Sequence, residues 1–346
     1  MNQTLDPGRR LPAEWEPQDA VLLAWPHRNS DWADLLDEVV PVYLELARQI
    51  SRFERVIIIS PEPDAVHAQL ARAGIVSNQI HLLDIPTNDT WIRDFGPITI
   101  VDKGQPRLLD FGFNGWGLKF AADRDNQATR QLARSPLFSG IAFETIGLIL
   151  EGGSIESDGK GTLLTTSNCL LNPNRNPHLT QTQLESELNR LFGEQHLLWL
   201  DHGRLVGDDT DAHIDTIARL CPGDTILYVH CDDPEDEHYN EFLRMEEQLH
   251  RLRTRQGKPF KLVALPWPQA YYDQGQRLPA TYANFLIING AVLVPCYQDV
   301  ADKAALDIIG GCFSDREIIG IDCLPLIKQH GSLHCVTMQL PAGVLS

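Results

Sequence analysis

Short β-branched runs come in pairs along this chain, joined across glycine-containing turns, and each pair is followed by an amphipathic stretch and another short apolar run. Residues 98–101 and 106–111 flank Asp102-Lys103-Gly104, 147–155 and 162–166 flank Ser157-Asp158-Gly159, 214–220 and 225–230 flank Cys221-Pro222-Gly223, and 282–288 and 291–295 flank Asn289-Gly290. Asn-Gly is a strong hairpin signal. Helical periodicity predicts helices over 123–132, 181–191, 237–253 and 299–308, followed by strands over 196–200, 261–265 and 317–321. The N-terminal part shows a related order: strand 20–25, helix 32–52, strand 55–60, then a further helix 63–73 and strand 79–84. With helix starts roughly 60 residues apart, the pattern reads as about five copies of hairpin, helix, strand. No Ser/Gly or Pro-rich linker interrupts it, and the acidic run 232–237 reads as a loop and helix N-terminus. The expectation is an α/β (α+β) fold in one domain spanning 1–346.

Composition narrows the class. Of 346 residues, 43% are hydrophobic and 22% charged, which excludes disorder and a collagen-like chain. A formal charge of -18, from 47 acids against 29 Lys and Arg, disfavours nucleic acid or an anionic membrane as partner and suits a small cation. Residues 1–17 lack the apolar core of a signal peptide, and no apolar stretch reaches the ~18 residues of a membrane span, so a cytoplasmic protein is expected. The seven cysteines form no C-x-x-C pair, which argues against a zinc knuckle or disulfide framework and leaves a nucleophilic thiol open.

Four segments concentrate polar residues beside turn signals. Residues 88–97, NDTWIRDFGP, place Asp89, Trp91, Arg93 and Asp94 before a strand; packing alone would make Asp89 a turn cap and Arg93–Asp94 a surface pair. In LEGGSIE (150–156), Gly152-Gly153 allows a close approach and a bulge explains the glycines, but not Glu151 at the strand end. In 202–216, His213 and Asp215 would project from one face of a strand. A calcium loop fails there, because the sixth residue from Asp208 is not Gly and the twelfth is Arg219, while zinc on His213, Asp215 and a distant third ligand stays open. In GSLHCVTM (331–338), Cys335 would begin a strand or be a buried core cysteine. Together, a thiol, an imidazole and several carboxylates suit attack on a cationic carbon such as that of a guanidinium.

These motifs, with LLNPNRNP (170–177) and FSDREIIGI (313–321), resemble in order and spacing those of the agmatine deiminase family, which is similar to the bacterial peptidylarginine deiminases and belongs to the guanidine-modifying, or pentein, superfamily. The resemblance implies a propeller of five pseudo-symmetric ββαβ units around a central site. It places the nucleophile on Cys335, the general acid/base on His213, guanidinium-clamping carboxylates on Asp94 and Asp215, a supporting acid on Glu151 and a pocket aromatic on Trp91. It further implies hydrolysis of agmatine to N-carbamoylputrescine and ammonia, a step of putrescine and polyamine biosynthesis, without metal or organic cofactor. Where the family often has NDETNGHVD and GGNIHC, this chain has GDDTDAHID and HGSLHC, keeping the His, Asp and Cys.

Substrate choice turns on the tail. Agmatine ends in an ammonium, which an acidic rim of Asp208, Asp209 or Asp211 would suit, Asp209 first. Free arginine would need a base for its carboxylate, and the motifs supply only Arg93 and Arg204. Peptidylarginine, a metal-dependent amidohydrolase and a non-catalytic guanidine binder stand as alternatives, and homo-oligomers are compatible with the sequence.

Overall fold

A computed structural model describes residues 8–193 and 196–345, so most of the segment read for a leader is placed and its first seven residues lie outside the described residues. Four sheets are built alike. Antiparallel pairs Ile98–Asp102 with Gln105–Gly112, Ile155–Ser157 with Thr162–Thr166, Ala218–Cys221 with Thr225–Val229, and Leu286–Ile288 with Ala291–Cys296 each gain a third strand parallel to the second: Ala142–Ile149, His196–Leu200, Lys261–Leu265 and Glu317–Asp322. A parallel neighbour needs a crossover, and the helices Ala128–Leu132, Gln181–Phe192, Tyr239–Arg251 and Asp302–Cys312 lie within those crossovers.

The fifth sheet has the same order but is assembled from both ends of the chain. Thr337–Pro341 runs antiparallel to Gln18–Ala24, with Thr337 opposite Leu23, and Arg55–Ser60 adds in parallel after the helix Leu36–Ile50, with Ile80–Asp84 beyond it. The first unit therefore borrows its leading strand from the last segment, which explains why the N-terminal pattern showed a single strand where the other units show two.

Local sequence accounts for these elements. Gly290 has φ +72°, the left-handed conformation that the Asn289-Gly290 turn requires. Along Leu36–Ile50, Val39, Val42, Tyr43, Leu46 and Ile50 recur at helical spacing and are buried. Gln181–Phe192 begins in a capping box between Thr180 and Gln183 and ends at left-handed Gly193. Inner strands such as Gln18–Ala24 and Arg55–Ser60 read as continuous apolar runs because both faces are covered. No described helix is long and apolar enough to cross a membrane.

Four expectations need correction, the simplest being the strand expected at 282–288, which begins only at Leu286. The strand expected at 147–155 is two strands, Ala142–Ile149 and Ile155–Ser157, separated by the 3-10 turn Gly152–Ser154. There the chain folds so close to Arg93 that a Cβ at Gly152 would collide with its carbonyl oxygen. The strand expected at 214–220 starts only at Ala218, after the 3-10 turn Ile214–Thr216. Asp208 accepts hydrogen bonds from Thr210 and Ala212, and Asp211 and Ala212 take positive φ, so the chain enters at an angle incompatible with a ladder. The helix expected at 123–132 is a 3-10 turn, Asp125–Gln127, and a short α-helix, since the Asp125 carboxylate accepts from the amides of Asn88 and Asp89.

Candidate active site

The site is made by segments that lead into the strand pairs. Asp94 precedes Ile98–Asp102, Glu151 precedes Ile155–Ser157, His213 and Asp215 precede Ala218–Cys221, Asn284 precedes Leu286–Ile288, and Cys335 precedes Thr337–Pro341. Asp94 lies on the one-turn helix Ile92–Phe95, and both it and Arg93 are buried, so they are not a surface pair. Its Oδ1 accepts from the Gly153 amide at 3.0 Å and its Oδ2 from the Trp116 indole at 2.9 Å. His213 Nδ1 is 3.6 Å from Asp94 Oδ1.

His213 and Asp215 do not share a strand face, because they occupy the cap and the body of the 3-10 turn. Gly153 brings them together with Asp94: a Cβ there would lie 2.7 Å from His213 Nδ1, 2.9 Å from Asp94 Oδ1 and 3.1 Å from Asp215 Oδ2. Only glycine leaves room for three polar groups to converge. Cys335 sits in a turn two residues before its strand, and Asn284 Oδ1 accepts from the His334 amide at 2.9 Å and from the Cys335 amide and thiol at 3.3 Å each.

Burial and charge set distinct proton affinities. Burial pushes His213 down to about 3, against the opposing pull of Asp215, so its imidazole is neutral near pH 7. Burial and then the Asp215 charge hold Asp94 well above the usual carboxylate range. For Asp215, burial pulls upward but the His334 contact, at 2.7 Å, outweighs it and leaves the group lowered and ionised. Burial, Asp215 and Asp94 all raise the Cys335 thiol. Burial also raises Glu151, although Arg175 Nε donates to its Oε1 at 2.9 Å.

Several of these atoms have nothing to bond to. Both ring nitrogens of His213, Glu151 Oε2 and Asp215 Oδ1 are buried without a hydrogen-bond partner among the described residues. Such atoms cost free energy unless something else satisfies them. A planar cation between Asp94 and Asp215 would meet that need and relieve their repulsion.

A cavity of about 150 Å³ opens above, with Asp94 and Cys335 at its floor, Trp91, Trp116 and Phe120 along its walls, and Asp31, Asp89 and Asp209 among its acids. No Lys or Arg lines it among the described residues. Of the three rim acids expected, only Asp209 reaches the cavity: Asp208 is spent on its own turn, and Asp211 pairs with Lys119 and Arg175. Asp89 accepts from the Thr90 amide at 2.8 Å, so it is both a local turn acceptor and a cavity wall. Arg93 is turned away to Gln339 and His334, and Arg204 is exposed, so neither borders the cavity. Trp91 packs at 5.7 Å against Trp32.

Sequence reasoning missed Trp116, Asn284 and Asp31. For Trp116 a signal existed: the indole lies between two glycines, and all three residues take positive φ, a backbone arranged to present that ring. It also missed a buried network behind the site, where His334 Nε2 meets Glu14 Oε2 at 2.7 Å and Arg219 joins Glu14 at 3.0 Å and Glu156. Among the described residues, no cluster of three or more metal-competent side chains holds both His213 and Asp215, as the zinc alternative required; His213 groups with Glu151 and Cys169.

Known proteins resemble this chain over nearly its whole length. The chain is 34% identical over 362 aligned positions to the agmatine deiminase of Pseudomonas aeruginosa (strain LESB58), covering 97% of this chain and 96% of that protein. A crystal structure from Porphyromonas gingivalis, provisionally assigned as an arginine deiminase, superposes with a TM-score of 0.92 at 49% identity, covering 98% and 100% of the two chains. A Cys-to-Ser form of the C. jejuni agmatine deiminase with substrate bound superposes with a TM-score of 0.89 at 38% identity, covering 96% of each chain. A more distant likeness, TM-score 0.52 at 12% identity over 96% and 97%, relates the fold alone to an amidinotransferase of Microseira wollei. The profile of the Porphyromonas-type peptidyl-arginine deiminases matches residues 10–341, and the chain belongs to that family.

Proposed function

We propose that this chain hydrolyses agmatine to N-carbamoylputrescine and ammonia through a covalent intermediate on Cys335. The observation that carries the reading is the convergence of Asp94, Asp215 and His213 around Gly153, with Asp94 and Cys335 also lining a cavity whose charged lining, apart from histidine, is acidic. Asp94 and Asp215 accept N–H bonds from the guanidinium, each contributing on the order of 1.5–3 kcal/mol. The bound cation also offsets the two negative charges that hold the proton on the thiol. Cys335 Sγ bonds to the guanidinium carbon as its proton passes to His213. His213 hands that proton to the leaving amine, the C–N bond breaks, and ammonia departs from a cationic thiouronium. Water then attacks with His213 taking a proton, the C–S bond breaks, the thiol is restored, and the proton left over accompanies ammonia as ammonium. Glu151, which places a carboxylate oxygen within 4.8 Å of a His213 ring nitrogen, steadies the imidazole as it gains charge.

The substrate's tail follows from charge. Asp31, Asp89 and Asp209 suit an ammonium, whereas free arginine would bring its carboxylate against them. Trp91 and Trp116 cover the methylenes between. The solved C. jejuni relative, an agmatine deiminase holding substrate in a Cys-to-Ser form, supports both the substrate and the need to disable a cysteine. We read the five similar units, each delivering site residues from the segment before its strand pair, as one domain with five-fold pseudo-symmetry around the site. Ammonia release from agmatine, arginine and a blocked arginine peptide, measured side by side, tests the reading. Agmatine is expected to dominate, and a preference for the peptide would overturn the substrate assignment.

A further inference from the structure

Cys169 has no part in the mechanism above, yet it stands beside two groups that do. It lies on the one-turn helix Ser167–Leu170, is fully buried, and places its Sγ so that it, a carboxylate oxygen of Glu151 and a ring nitrogen of His213 all fall within 4.8 Å of one another. Arg175 occupies Glu151 Oε1 and leaves Oε2 without a partner, and neither nitrogen of His213 has one. A thiol, an imidazole and a carboxylate with free lone pairs form a three-ligand set of the kind that takes Zn²⁺ in tetrahedral geometry, with water in the fourth place. A sulfur ligand also disfavours Mg²⁺ and Ca²⁺, which prefer oxygen.

From this cluster we infer that Glu151, Cys169 and His213 form an inhibitory zinc site inside the active centre. The inference rests on the proposed role of His213: zinc takes the lone pair that the imidazole needs for proton transfer. On binding, the Sγ–Zn bond forms and the Cys169 proton leaves to solvent, with no change of oxidation state. The site differs from one built on the nucleophile, because Cys335 is held by Asn284 and is not in the cluster.

Co²⁺ reports the ligand set without turnover, through a thiolate-to-metal charge-transfer band in the near ultraviolet. The band is expected in the unsubstituted protein and in Cys335→Ser, and is expected to vanish in Cys169→Ser and Cys169→Ala. In parallel, Zn²⁺ inhibition of agmatine hydrolysis, reversible by chelator, is expected to weaken in the Cys169 variants by more than the ~10–100-fold that an outer-shell partner is worth, while their turnover without metal stays near that of the parent. Circular dichroism of both Cys169 variants confirms that they fold. A band that survives in the Cys169 variants, a band that requires Cys335, or no band in the parent would each overturn the zinc site. Failure of agmatine hydrolysis in the metal-free parent would instead strike the functional proposal and leave the cobalt result intact.

Discussion

Two buried charged clusters lie back to back in this molecule, and they differ in how far their polar atoms are satisfied, the rear one leaving only Arg93 Nη2 without a hydrogen bond among the side chains named for it. In the rear cluster, Arg219 donates to Glu14, Glu156 and the Phe285 carbonyl, and His334 joins Glu14 to Asp215. In the front cluster, His213, Glu151 and Asp215 each keep an atom with no partner among the described residues, and the charges of Asp215 and Asp94 bear on the Cys335 thiol. A satisfied cluster holds the fold in place; an unsatisfied one costs stability that a ligand can return. His334 couples the two, since it fixes the rear face of Asp215 and leaves Oδ1 for the front.

The contrast can be broken most severely at the proposed nucleophile. Cys335→Ser is expected to lower ammonia release from agmatine by roughly 10³-fold or more while agmatine binding by calorimetry persists; substantial turnover would remove Cys335 from the mechanism. On the rear side, Arg219→Met should destabilise the fold by about 3–5 kcal/mol in urea titration, because Glu156 is left buried without its ion-pair partner and Glu14 keeps His334 but loses one of its cations. Asp94→Asn should have the opposite character. It is expected to cut kcat/KM by about 10²–10³-fold and to raise the melting temperature, since a buried carboxylate repelled by Asp215 is gone; a lowered melting temperature would show that Asp94 supports the fold.

The mildest test uses Glu54, a buried acid that belongs to neither cluster and whose Oε1 also lacks a partner among the described residues. Burial raises it from 4.5 to about 7, so the folded state favours its protonated form. The stability it lends is complete below about pH 4.5 and is lost as pH rises through about 7. Glu54→Gln should therefore be fully active and gain up to about 2 kcal/mol over the parent at pH 8.5, with little gain at pH 5. Equal gains at both pH values would show that charge is not the cause.

What could be read in the sequence follows the same division. Front residues sit in compact motifs beside glycine turns, so Asp94, Glu151, His213, Asp215 and Cys335 were all visible, as was the repeat. Strands 196–200, 261–265 and 55–60 match their observed bounds because each is an apolar run closed by a polar turn. The rear network was invisible: Glu14, Glu156 and Arg219 are isolated residues from distant segments, brought together only by the packing of the sheets. The breaks at Gly152–Ser154 and Ile214–Thr216 were missed because apolar periodicity continues across them, while the reason to turn lies in what approaches from outside the segment.

The sheet shared by the two ends of the chain has a consequence for synthesis. Gln18–Ala24 emerges from the ribosome long before its antiparallel partner Thr337–Pro341, which lies about 300 residues further along the chain. Until then an apolar strand keeps one edge open, the kind of edge that recruits other chains. Cys335, the proposed nucleophile, is delivered with the strand that closes it, so acquiring that thiol and losing the sticky edge are a single event. Removing the last strand should thus yield a chain that aggregates as well as one that lacks activity.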